Sequence, residues 1–358
     1  MKTILETYKN KKVFVTGHTG FKGSWLTMWL KELGADVCGY SLEPDTDPAL
    51  FNQLGLAKDI KHIIADVRDL ERLTKEIKAF SPDIVLHLAA QPLVKLSYKE
   101  PVLTYQTNVM GTVNLLEACR QHGGIKSIVN VTTDKCYENK ETDYAYKETD
   151  PFGGYDPYSN SKGCSELVTA CYRNSYFNPQ DYGAKHNTAL ASARAGNVIG
   201  GGDYSADRLL PDFIKAIRAN QDIFIRSPKA TRPWQFVLEP LSGYLVLGAR
   251  LFNGDINLAS GWNFGPYDSS ILTVEEVVKE AIKDYGQGSY SIDKNAHPHE
   301  ATLLKLDITK AETQLDWHPV YTAQQAIAAT IEWYKGWYEG KDVLALTHKQ
   351  LKEYSDKL

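Results

Sequence analysis

A tyrosine and a lysine four residues apart can act together as an acid–base pair, and Tyr158 and Lys162 have this spacing. Asp156 is a favourable helix N-cap and Pro157 suits the first position of a helix, so we expect the pair to lie on one helix face. A nearby ammonium group favours a phenolate, so we expect Lys162 to lower the pKa of Tyr158 from its ordinary value of ~10. Tyr158 is therefore a candidate general base. The spacing alone is common, and a solvated helix face is the alternative interpretation.

A second polar cluster, Thr132-Thr133-Asp134-Lys135, directly follows the strand-like residues 128–131. Residues at the carboxyl end of a parallel strand face the ligand crevice of an open α/β sheet. Thr133 can hydrogen-bond a substrate hydroxyl that Tyr158 also contacts, and Asp134 with Lys135 supplies an acid and a base. A polar loop without a catalytic role is the alternative. We predict that the catalytic residues are Thr133, Asp134, Lys135, Tyr158 and Lys162.

The segment from Gly17 to Gly23 has the pattern GxxGxxG and lies between an apolar strand-like run and a helical pattern. Glycine permits a tight turn and a close approach of the backbone to a pyrophosphate, and the next helix offers unpaired N–H groups at its N-terminus. This position distinguishes the segment from an ordinary turn and predicts dinucleotide binding. Tyr158 and Lys162 could then also hold the nicotinamide ribose. The cofactor-binding residues of the loop are Gly17, His18, Thr19, Gly20, Phe21, Lys22 and Gly23.

The end of the second predicted strand bears on the choice between NAD and NADP. An acidic residue ~20 positions after the glycines usually holds the adenine ribose, but this strand ends at Ser41 and the carboxylate is missing. No arginine or lysine occurs between Lys31 and Lys58, so no residue there could clamp a 2′-phosphate. NAD is therefore favoured, with Ser41 beside the ribose. Asp66-Val67 follows the third strand and could meet the adenine, a solvated turn being the alternative.

These residues need a fold that brings strand ends and helix starts together. Short β-rich runs alternate with helical patterns in the first half of the chain, which predicts a parallel sheet with helices on both faces. The predicted strands are residues 13–17, 37–40, 63–65, 84–88, 128–131 and 189–193. From Gly196, glycine clusters and short elements such as WNFGP follow, with helices near 273–285 and 322–337. We predict an α/β fold, a Rossmann-type doubly wound parallel sheet with a smaller C-terminal substrate-binding lobe, divided approximately into residues 1–195 and 196–358 and interleaved.

Length and charge exclude several classes of function. The chain has 358 residues with 40 basic and 44 acidic side chains, a formal net charge of −4, so it lacks the basic excess of nucleic-acid-binding proteins. No apolar run approaches the ~18 residues that span a membrane, and the N-terminal residues lack the apolar core of a signal peptide. The five cysteines are scattered without a CxxC pair, which fits reduced thiols. We expect a cytoplasmic enzyme that binds neither nucleic acid nor a membrane.

The motifs GHTGFKG, DVRD, HLAAQ, TNVMGT, TTDK and YSNSK occur in an order and spacing that resembles the extended short-chain dehydrogenase/reductase superfamily. Within it, the chain is similar to the nucleotide-sugar 4,6-dehydratases over nearly its whole length. The resemblance implies NAD as cofactor, a nucleotide-activated hexose as substrate, and a homodimer or a dimer of dimers, because family members pair through two helices each. It assigns cofactor contacts to Leu88, Ala89, Ala90 and Asn108, and substrate contacts to Gln91, Asn197, Arg208, Arg232 and His299.

The resemblance also implies an internal redox cycle with loss of water. Tyr158 would take the proton from the sugar 4-hydroxyl while hydride passes from C4 to NAD, and the 4-ketone would acidify the proton at C5. After water leaves from C5 and C6, the hydride would return to C6. By family analogy Asp134 is the acid at O6. Better-known dehydratases have a glutamate next as the C5 base, whereas Lys135 stands here and must be neutral to act as a base, or else stabilises the enolate.

Other functions are compatible with part of this pattern. Another sugar-nucleotide 4,6-dehydratase or a 4-epimerase could share the fold, but an epimerase needs no acid–base pair for elimination, so Asp134 and Lys135 argue against it. A non-catalytic dinucleotide-sensing protein would not need the poised phenol of Tyr158. The stretch His297-Pro298-His299-Glu300 places two histidines near a carboxylate. We nevertheless predict no metal, because the implied reaction needs none and a substrate loop fits this stretch better.

Overall fold

The computed structural model describes residues 1–205, 208–225, 227–292 and 303–358. Within these residues the chain forms fifteen strands and fourteen α-helices. The strands are β1 (Lys12–Thr16), β2 (Asp36–Ser41), β3 (Lys61–Ile64), β4 (Ile84–His87), β5 (Ser127–Val131), β6 (Ala145–Tyr146), β7 (Ala189–Ala195), β8 (Val198–Ile199), β9 (Ile223–Ile225), β10 (Thr231–Pro233), β11 (Gln235–Phe236), β12 (Gly261–Phe264), β13 (Ile271–Thr273), β14 (Tyr290–Ile292) and β15 (Lys305–Leu306). The helices are α1 (Lys2–Leu5), α2 (Phe21–Glu32), α3 (Leu50–Gln53), α4 (Leu70–Phe80), α5 (Val94–Lys99), α6 (Pro101–Tyr105), α7 (Gly111–His122), α8 (Pro157–Ser175), α9 (Leu209–Arg218), α10 (Leu238–Phe252), α11 (Val274–Tyr285), α12 (Thr309–Leu315), α13 (Ala323–Tyr338) and α14 (Val343–Ser355). None of the helices in these ranges is long and apolar enough to cross a membrane.

Seven strands form one parallel sheet in the order β12-β7-β5-β4-β1-β2-β3. β1 pairs with both β2 and β4, and Thr16 at its end lies opposite Tyr40 on one side and His87 on the other. The strand order reverses at β1, and open α/β sheets bind ligands outside the carboxyl ends of the strands at such a point. The predicted Rossmann-type fold is confirmed, and its crevice lies beyond Thr16 and His87.

Local sequence signals start the two helices that border this crevice. α2 begins directly after Gly20, and Gly34 follows its end with a φ of +78°, a left-handed conformation that glycine adopts readily. α8 begins at Pro157, and the Asp156 carboxylate accepts a hydrogen bond from the Ser159 backbone N–H at 2.9 Å. Caps and turns act over a few residues, which is why the sequence located both helix starts.

The second half of the chain returns to the sheet. β12 comes from the WNFGP stretch and pairs in parallel with β7, with Trp262 opposite Ala193. The sequence pattern placed this stretch among the short elements of the C-terminal lobe, whereas the structure places it in the main sheet. The physical reason is that Trp262 and Phe264 are fully buried in the core beneath α10. α10 was not predicted because it is buried along nearly its whole length and so lacks a polar stripe. The division at residues 195 and 196 stays an interpretation.

Candidate active site

The two predicted catalytic segments meet at the carboxyl end of β5. After β5, Thr133 caps a short 3₁₀ turn that carries Asp134 and Lys135. α8 packs against this turn, and the Lys162 ammonium donates a hydrogen bond to the Val131 carbonyl oxygen at 3.2 Å. Burial lowers the pKa of Lys162 to about 8. An acid–base constellation that is separated by more than twenty residues in the chain is thus assembled at one strand end.

Asp134 is buried, and burial raises the pKa of its carboxyl above the ordinary value. The charges of Lys135 and Arg232 and a hydrogen bond with Thr133 oppose that rise. The Thr133 hydroxyl donates to Asp134 Oδ1 at 2.9 Å. Gly196 leaves room for the carboxyl, because a Cβ at Gly196 would stand 2.7 Å from Asp134 Oδ2. A raised pKa favours the protonated form of a carboxyl group, which is the form that can protonate a leaving oxygen.

Tyr158 differs from the sequence expectation. Burial, with a smaller contribution from the charge of Asp134, raises the pKa of its phenol to about 12. The Thr133 hydroxyl, which lies within hydrogen-bonding reach, and the charge of Arg208 lower it. The net effect is a rise in the pKa instead of the expected lowering, because a phenolate loses more hydration free energy than a phenol when water is removed.

The glycine loop has the geometry that a dinucleotide pyrophosphate requires. Gly17 has a φ of +75°, and a Cβ there would stand 2.7 Å from the Ala89 backbone nitrogen. A Cβ at Gly23 would stand 2.0 Å from the Gly17 carbonyl oxygen, far inside van der Waals contact. Gly20 is the N-cap of α2, a helix of twelve residues whose first turn has free N–H groups next to the loop. These residues fit the pyrophosphate, since only glycine lets the strand, loop and helix approach so closely.

Replacing Gly23 with alanine is expected to weaken NAD binding by about tenfold or more and to lower the unfolding temperature, since α2 must move away from the loop. Titration of intrinsic fluorescence with NAD and thermal unfolding measure the two effects. Gly265→Ala is the control, because a Cβ there would meet its nearest neighbours, Ile308 and Leu306, at 3.6 Å. Unchanged NAD affinity in the Gly23 variant would contradict the role given to this loop.

The side chains of the glycine loop contact β2 and β3. His18 is completely buried, its Nε2 lies 2.7 Å from His62 Nδ1, and burial lowers the pKa of its imidazole to about 3. A Cβ at Gly39 would stand 2.4 Å from the His18 ring, so glycine on β2 makes this packing possible. The Thr19 and Ser41 hydroxyls lie 2.8 Å apart. The loop is thereby fastened to β2 and β3, and His18 offers a cofactor its backbone rather than its ring.

Lys22 extends from the first turn of α2 toward the catalytic residues. Burial, together with the charges of Arg208 and Lys162, lowers the pKa of its ammonium to about 8, and the charge of Asp134 opposes this fall. Phe21 packs beside it against the glycine-rich turn after β8. Several cations therefore surround the buried carboxyl, which makes the site locally positive in a chain whose net charge is −4.

The residues after β4 form the opposite wall of the crevice. Leu88, Ala89 and Ala90 follow β4 directly. The Leu88 backbone N–H donates to the Thr16 carbonyl oxygen at 3.1 Å, and the Ala89 N–H donates to the Thr16 hydroxyl at 3.2 Å. The backbone of this wall lies against Gly17, where a Cβ would stand 2.8 Å from the Leu88 carbonyl carbon.

Asn108 and Gln91 support this wall with their side chains. Asn108 Nδ2 donates to the Gln91 carbonyl oxygen at 3.1 Å and to Ser161 Oγ at 2.9 Å, and its Oδ1 accepts from the Gln91 N–H. The predicted contact between Gln91 and the substrate stays a prediction. Its buried amide donates to Thr104 Oγ1 at 2.9 Å and accepts from the Leu93 N–H at 2.6 Å. Both ends of this amide therefore have partners within the protein, which fixes the shape of the loop.

Asp66 and Val67 follow β3, at the place expected for the adenine. Hydrogen bonds from the Arg68 guanidinium, at 2.9 and 2.6 Å, lower the pKa of Asp66 despite its partial burial. Val67 is buried against Gly111, and its carbonyl oxygen accepts from Asn114 Nδ2 at 3.0 Å. The contact between Asp66 and the adenine stays a prediction, and the Arg68 guanidinium would compete with the adenine for the Asp66 carboxylate.

A cavity opens beside the catalytic turn. Three predicted substrate residues, Asn197, Arg208 and Arg232, line it, and the charge of Arg232 reaches Asp134. Planar guanidinium groups bind phosphate oxygens through two parallel hydrogen bonds, so this wall suits a diphosphate. His299 and the rest of its stretch lie outside the described residues. The apolar side chains of the cavity include Val198, Ile199, Leu210, Phe224, Trp234 and Val274.

Three buried polar residues next to the site were not predicted. His87 Nδ1 lies 2.6 Å from the Thr16 hydroxyl, and burial lowers the pKa of its imidazole to about 3. Glu166 and Arg194 form an ion pair with a separation of 2.9 Å. Glu166 had a signal, since it follows Lys162 by four residues on the same helix face. Arg194 lies in a strand of small and apolar residues, and the spacing along the chain gave no signal for it.

The chain matches known proteins over nearly its whole length. Residues 14–330 match the family described as GDP-mannose 4,6 dehydratase. The chain belongs to this family. Among the curated relatives, it is 51% identical over 348 residues to the CDP-glucose 4,6-dehydratase of Salmonella typhimurium, a match that covers 97% of both chains. Membership of this dehydratase family makes the chain an enzyme, a hydro-lyase.

Solved structures with low sequence identity to this chain have the same fold. DesIV, a dTDP-glucose 4,6-dehydratase from Streptomyces venezuelae crystallised with NAD, superposes with a TM-score of 0.78 at 21% identity, covering 93% of this chain and 99% of that one. The UDP-glucose 4-epimerase of Thermotoga maritima gives the same TM-score at 20% identity, covering 91% and 99%. Dehydratases and epimerases thus share this scaffold, and the residues of the site must distinguish the two reactions.

Proposed function

We propose that the chain is an NAD-dependent dehydratase that converts CDP-D-glucose to CDP-4-keto-6-deoxy-D-glucose in cytoplasmic deoxysugar biosynthesis of the lipopolysaccharide type. The observation that supports the proposal is that Asp134, in the turn that also carries Lys135, lies within electrostatic reach of Tyr158, because elimination needs an acid and a base near the group that oxidises the sugar. The name of the 51% identical Salmonella relative supports CDP-glucose as the substrate. The five free cysteines fit a reducing compartment.

Substrate binding depends on local charge. A dianionic diphosphate meets a chain whose net charge is −4, so the attraction must come from particular residues. Arg208 and Arg232 line the cavity, and Lys22 reaches toward the same end of the crevice. We place the diphosphate between these cations and the nucleobase against the apolar wall that contains Phe224.

Oxidation of the sugar at C4 is the first step. When bound, NAD accepts a hydride from C4 and later returns it to C6. Tyr158 takes the proton from the 4-hydroxyl, so that the C–O bond becomes a ketone, and Thr133 hydrogen-bonds the same oxygen. Once ionised, a phenol with a pKa of about 12 is a strong base. Arg208 and Thr133 favour that ionisation from within the site.

Elimination of water from C5 and C6 is the second step. The 4-ketone acidifies the C5 proton, because the carbanion is delocalised into an enolate. Lys135, as a neutral amine, takes this proton; the electron pair forms the C5–C6 double bond, the C6–O6 bond breaks, and Asp134 protonates the departing oxygen to release water. After C6 has received hydride, Lys135 returns a proton to C5. The raised pKa of Asp134 favours its protonated form at the start.

A panel of substrates tests this proposal. The protein is incubated with NAD and hexose nucleotides that carry cytosine, thymine, uracil or guanine, and mass spectrometry follows loss of one water. We expect water loss from CDP-glucose, with deuterium from C4 recovered at C6. Water loss only from other nucleotides would overturn the cytosine assignment. An epimerised sugar of unchanged mass would indicate a 4-epimerase instead, and no conversion of any sugar would contradict the dehydratase proposal.

We further propose that a second copy of the chain covers an apolar face of α5–α8. Val102 is 68% exposed and Leu167 is 58% exposed, and Tyr98 and Met110 on the adjoining segments are also exposed. Helices α5, α6 and α7 all pack against α8, so these side chains belong to one helical layer. In a dimer with twofold symmetry, this face of one copy would pack against the same face of the other copy, and both would be removed from water. A dimer of dimers would need a second contact elsewhere.

Replacing Leu167 with glutamate is expected to convert the dimer to a monomer at micromolar concentration, because the pairing would bury two like charges. Sedimentation velocity measures the change. Leu344→Glu on α14 is the control, since Leu344 is exposed on a helix outside this layer. An unchanged sedimentation coefficient for the Leu167 variant would place the interface elsewhere.

A further inference from the structure

Behind the catalytic turn lies a buried ion pair that the reaction steps above do not use. Glu166 on α8 and Arg194 on β7 have side chains that are 2% and 3% exposed. Glu166 Oε1 accepts from Arg194 Nε at 2.9 Å, and Oε2 accepts from Arg194 Nη2 at 2.9 Å. Ser192 Oγ donates to Oε2 at 2.6 Å. The carboxylate is thus fully engaged in a geometry that fixes both partners.

The same ion pair holds both ends of the catalytic segment 132–137. At the start, the Thr132 hydroxyl donates to Glu166 Oε1 at 2.5 Å. At the end, the Tyr137 hydroxyl accepts from Arg194 Nη1 at 2.6 Å and donates to Asn263 Oδ1 at 2.7 Å. The Arg194 guanidinium also lies over the Tyr137 ring, 5.2 Å from its centroid. Asp134 and Lys135 lie between these two attachments.

The hydrogen bonds inside the segment are longer than those at its ends. Lys135 N–H reaches Thr133 Oγ1 at 3.4 Å, Cys136 N–H reaches the Thr133 carbonyl at 3.3 Å, and Tyr137 N–H reaches the Asp134 carbonyl at 3.4 Å. Backbone hydrogen bonds are commonly ~2.9–3.0 Å long and weaken with distance. The turn therefore depends on its end attachments for its position more than on its own bonds.

We infer that the Glu166–Arg194 pair is a positioning element for the elimination step, which holds segment 132–137 so that Asp134 and Lys135 stand correctly at O6 and C5. The inference rests on the proposed function. Tyr158 belongs to α8, whose start is fixed by the Asp156 cap, and the diphosphate is held by arginines of the cavity. Weakening the pair should therefore disturb elimination more than oxidation or substrate binding.

The test separates elimination from oxidation in two variants. Glu166→Gln removes the charge of the carboxylate. Thr132→Val removes one attachment of the segment but preserves the ion pair, so this second variant should fold even if the first does not. Reactions with CDP-glucose and NAD are quenched, and mass spectrometry measures the 4-keto sugar that still carries O6. We expect kcat for water loss to fall at least about tenfold, KM to stay within about threefold, and the 4-keto sugar to accumulate in both variants. Glu166→Asp, which keeps the charge, should recover part of kcat.

The matched control is Glu239→Gln. Glu239 is also completely buried, and it accepts from the Val320 and Tyr321 N–H groups and from the Tyr354 hydroxyl, without touching segment 132–137. We expect it to lower the unfolding temperature without accumulation of the 4-keto sugar. Equal partition in the Thr132, Glu166 and Glu239 variants would overturn the positioning role. A wild-type protein that releases no water would instead overturn the proposed function.

Discussion

Replacing Tyr158 with phenylalanine is expected to lower turnover of CDP-glucose by about 10²–10⁴-fold, the usual contribution of a general base. The substitution removes one oxygen from a half-buried ring, so the fold should persist while the group proposed to take the proton from O4 is lost. Steady-state water loss and the amount of 4-keto sugar after quenching should fall together, because oxidation precedes elimination. Tyr155→Phe is the control, since Tyr155 is 82% exposed just before α8. A Tyr158 variant that keeps more than a tenth of wild-type turnover would show that another group takes the proton.

The pH dependence of the same step follows from the two titrating groups. The active form of Tyr158 is the deprotonated one, and burial places its pKa at about 12, so the oxidation rate should rise with pH through the neutral range. Burial places the pKa of Lys162 at about 8, so the rise should end where its ammonium loses its proton. Rates measured with substrate deuterated at C4 isolate this step. The phenylalanine variant should lack the rising limb.

Replacing Lys135 with methionine is expected to stop elimination while oxidation continues, with a fall in water loss of about 10²–10⁴-fold. Methionine keeps the length of the side chain and removes the amine that takes the C5 proton. Quenched reactions should contain the 4-keto sugar that retains O6. In deuterated water the wild-type protein should place deuterium at C5, and the variant should not.

Lys140→Met is the control for this prediction, since Lys140 is exposed five residues further along the chain. Full turnover in the Lys135 variant would exclude this lysine as the C5 base and as a stabiliser of the enolate. Loss of oxidation together with elimination would also contradict the prediction, because it would mean that Lys135 is needed before the ketone forms. The Tyr158 and Lys135 variants therefore block consecutive steps and leave different sugars.

The comparison of sequence with structure separates local from long-range information. The glycine spacing, the helix cap at Asp156 and the pairing of Tyr158 with Lys162 are properties of a few neighbouring residues. The alternation of strands and helices determined the class of the sheet, because a parallel sheet needs a crossover between its strands. Resemblance to a family then supplied the reaction and several of the site residues.

Only the tertiary structure decided the environment of those residues. It turned the Gln91 amide inward, placed the His18 ring below its loop, inserted β12 into the sheet, and made burial the dominant influence on the pKa of Tyr158. It also joined Glu166 to Arg194, which are 28 positions apart in the chain. Spacing along a chain specifies which side chains share a face, whereas hydration and partner distance depend on every element packed around them. For this protein the residues proposed to carry the chemistry could be named from the sequence, whereas the free energies that set their pKa values arise only when water is excluded from the folded site.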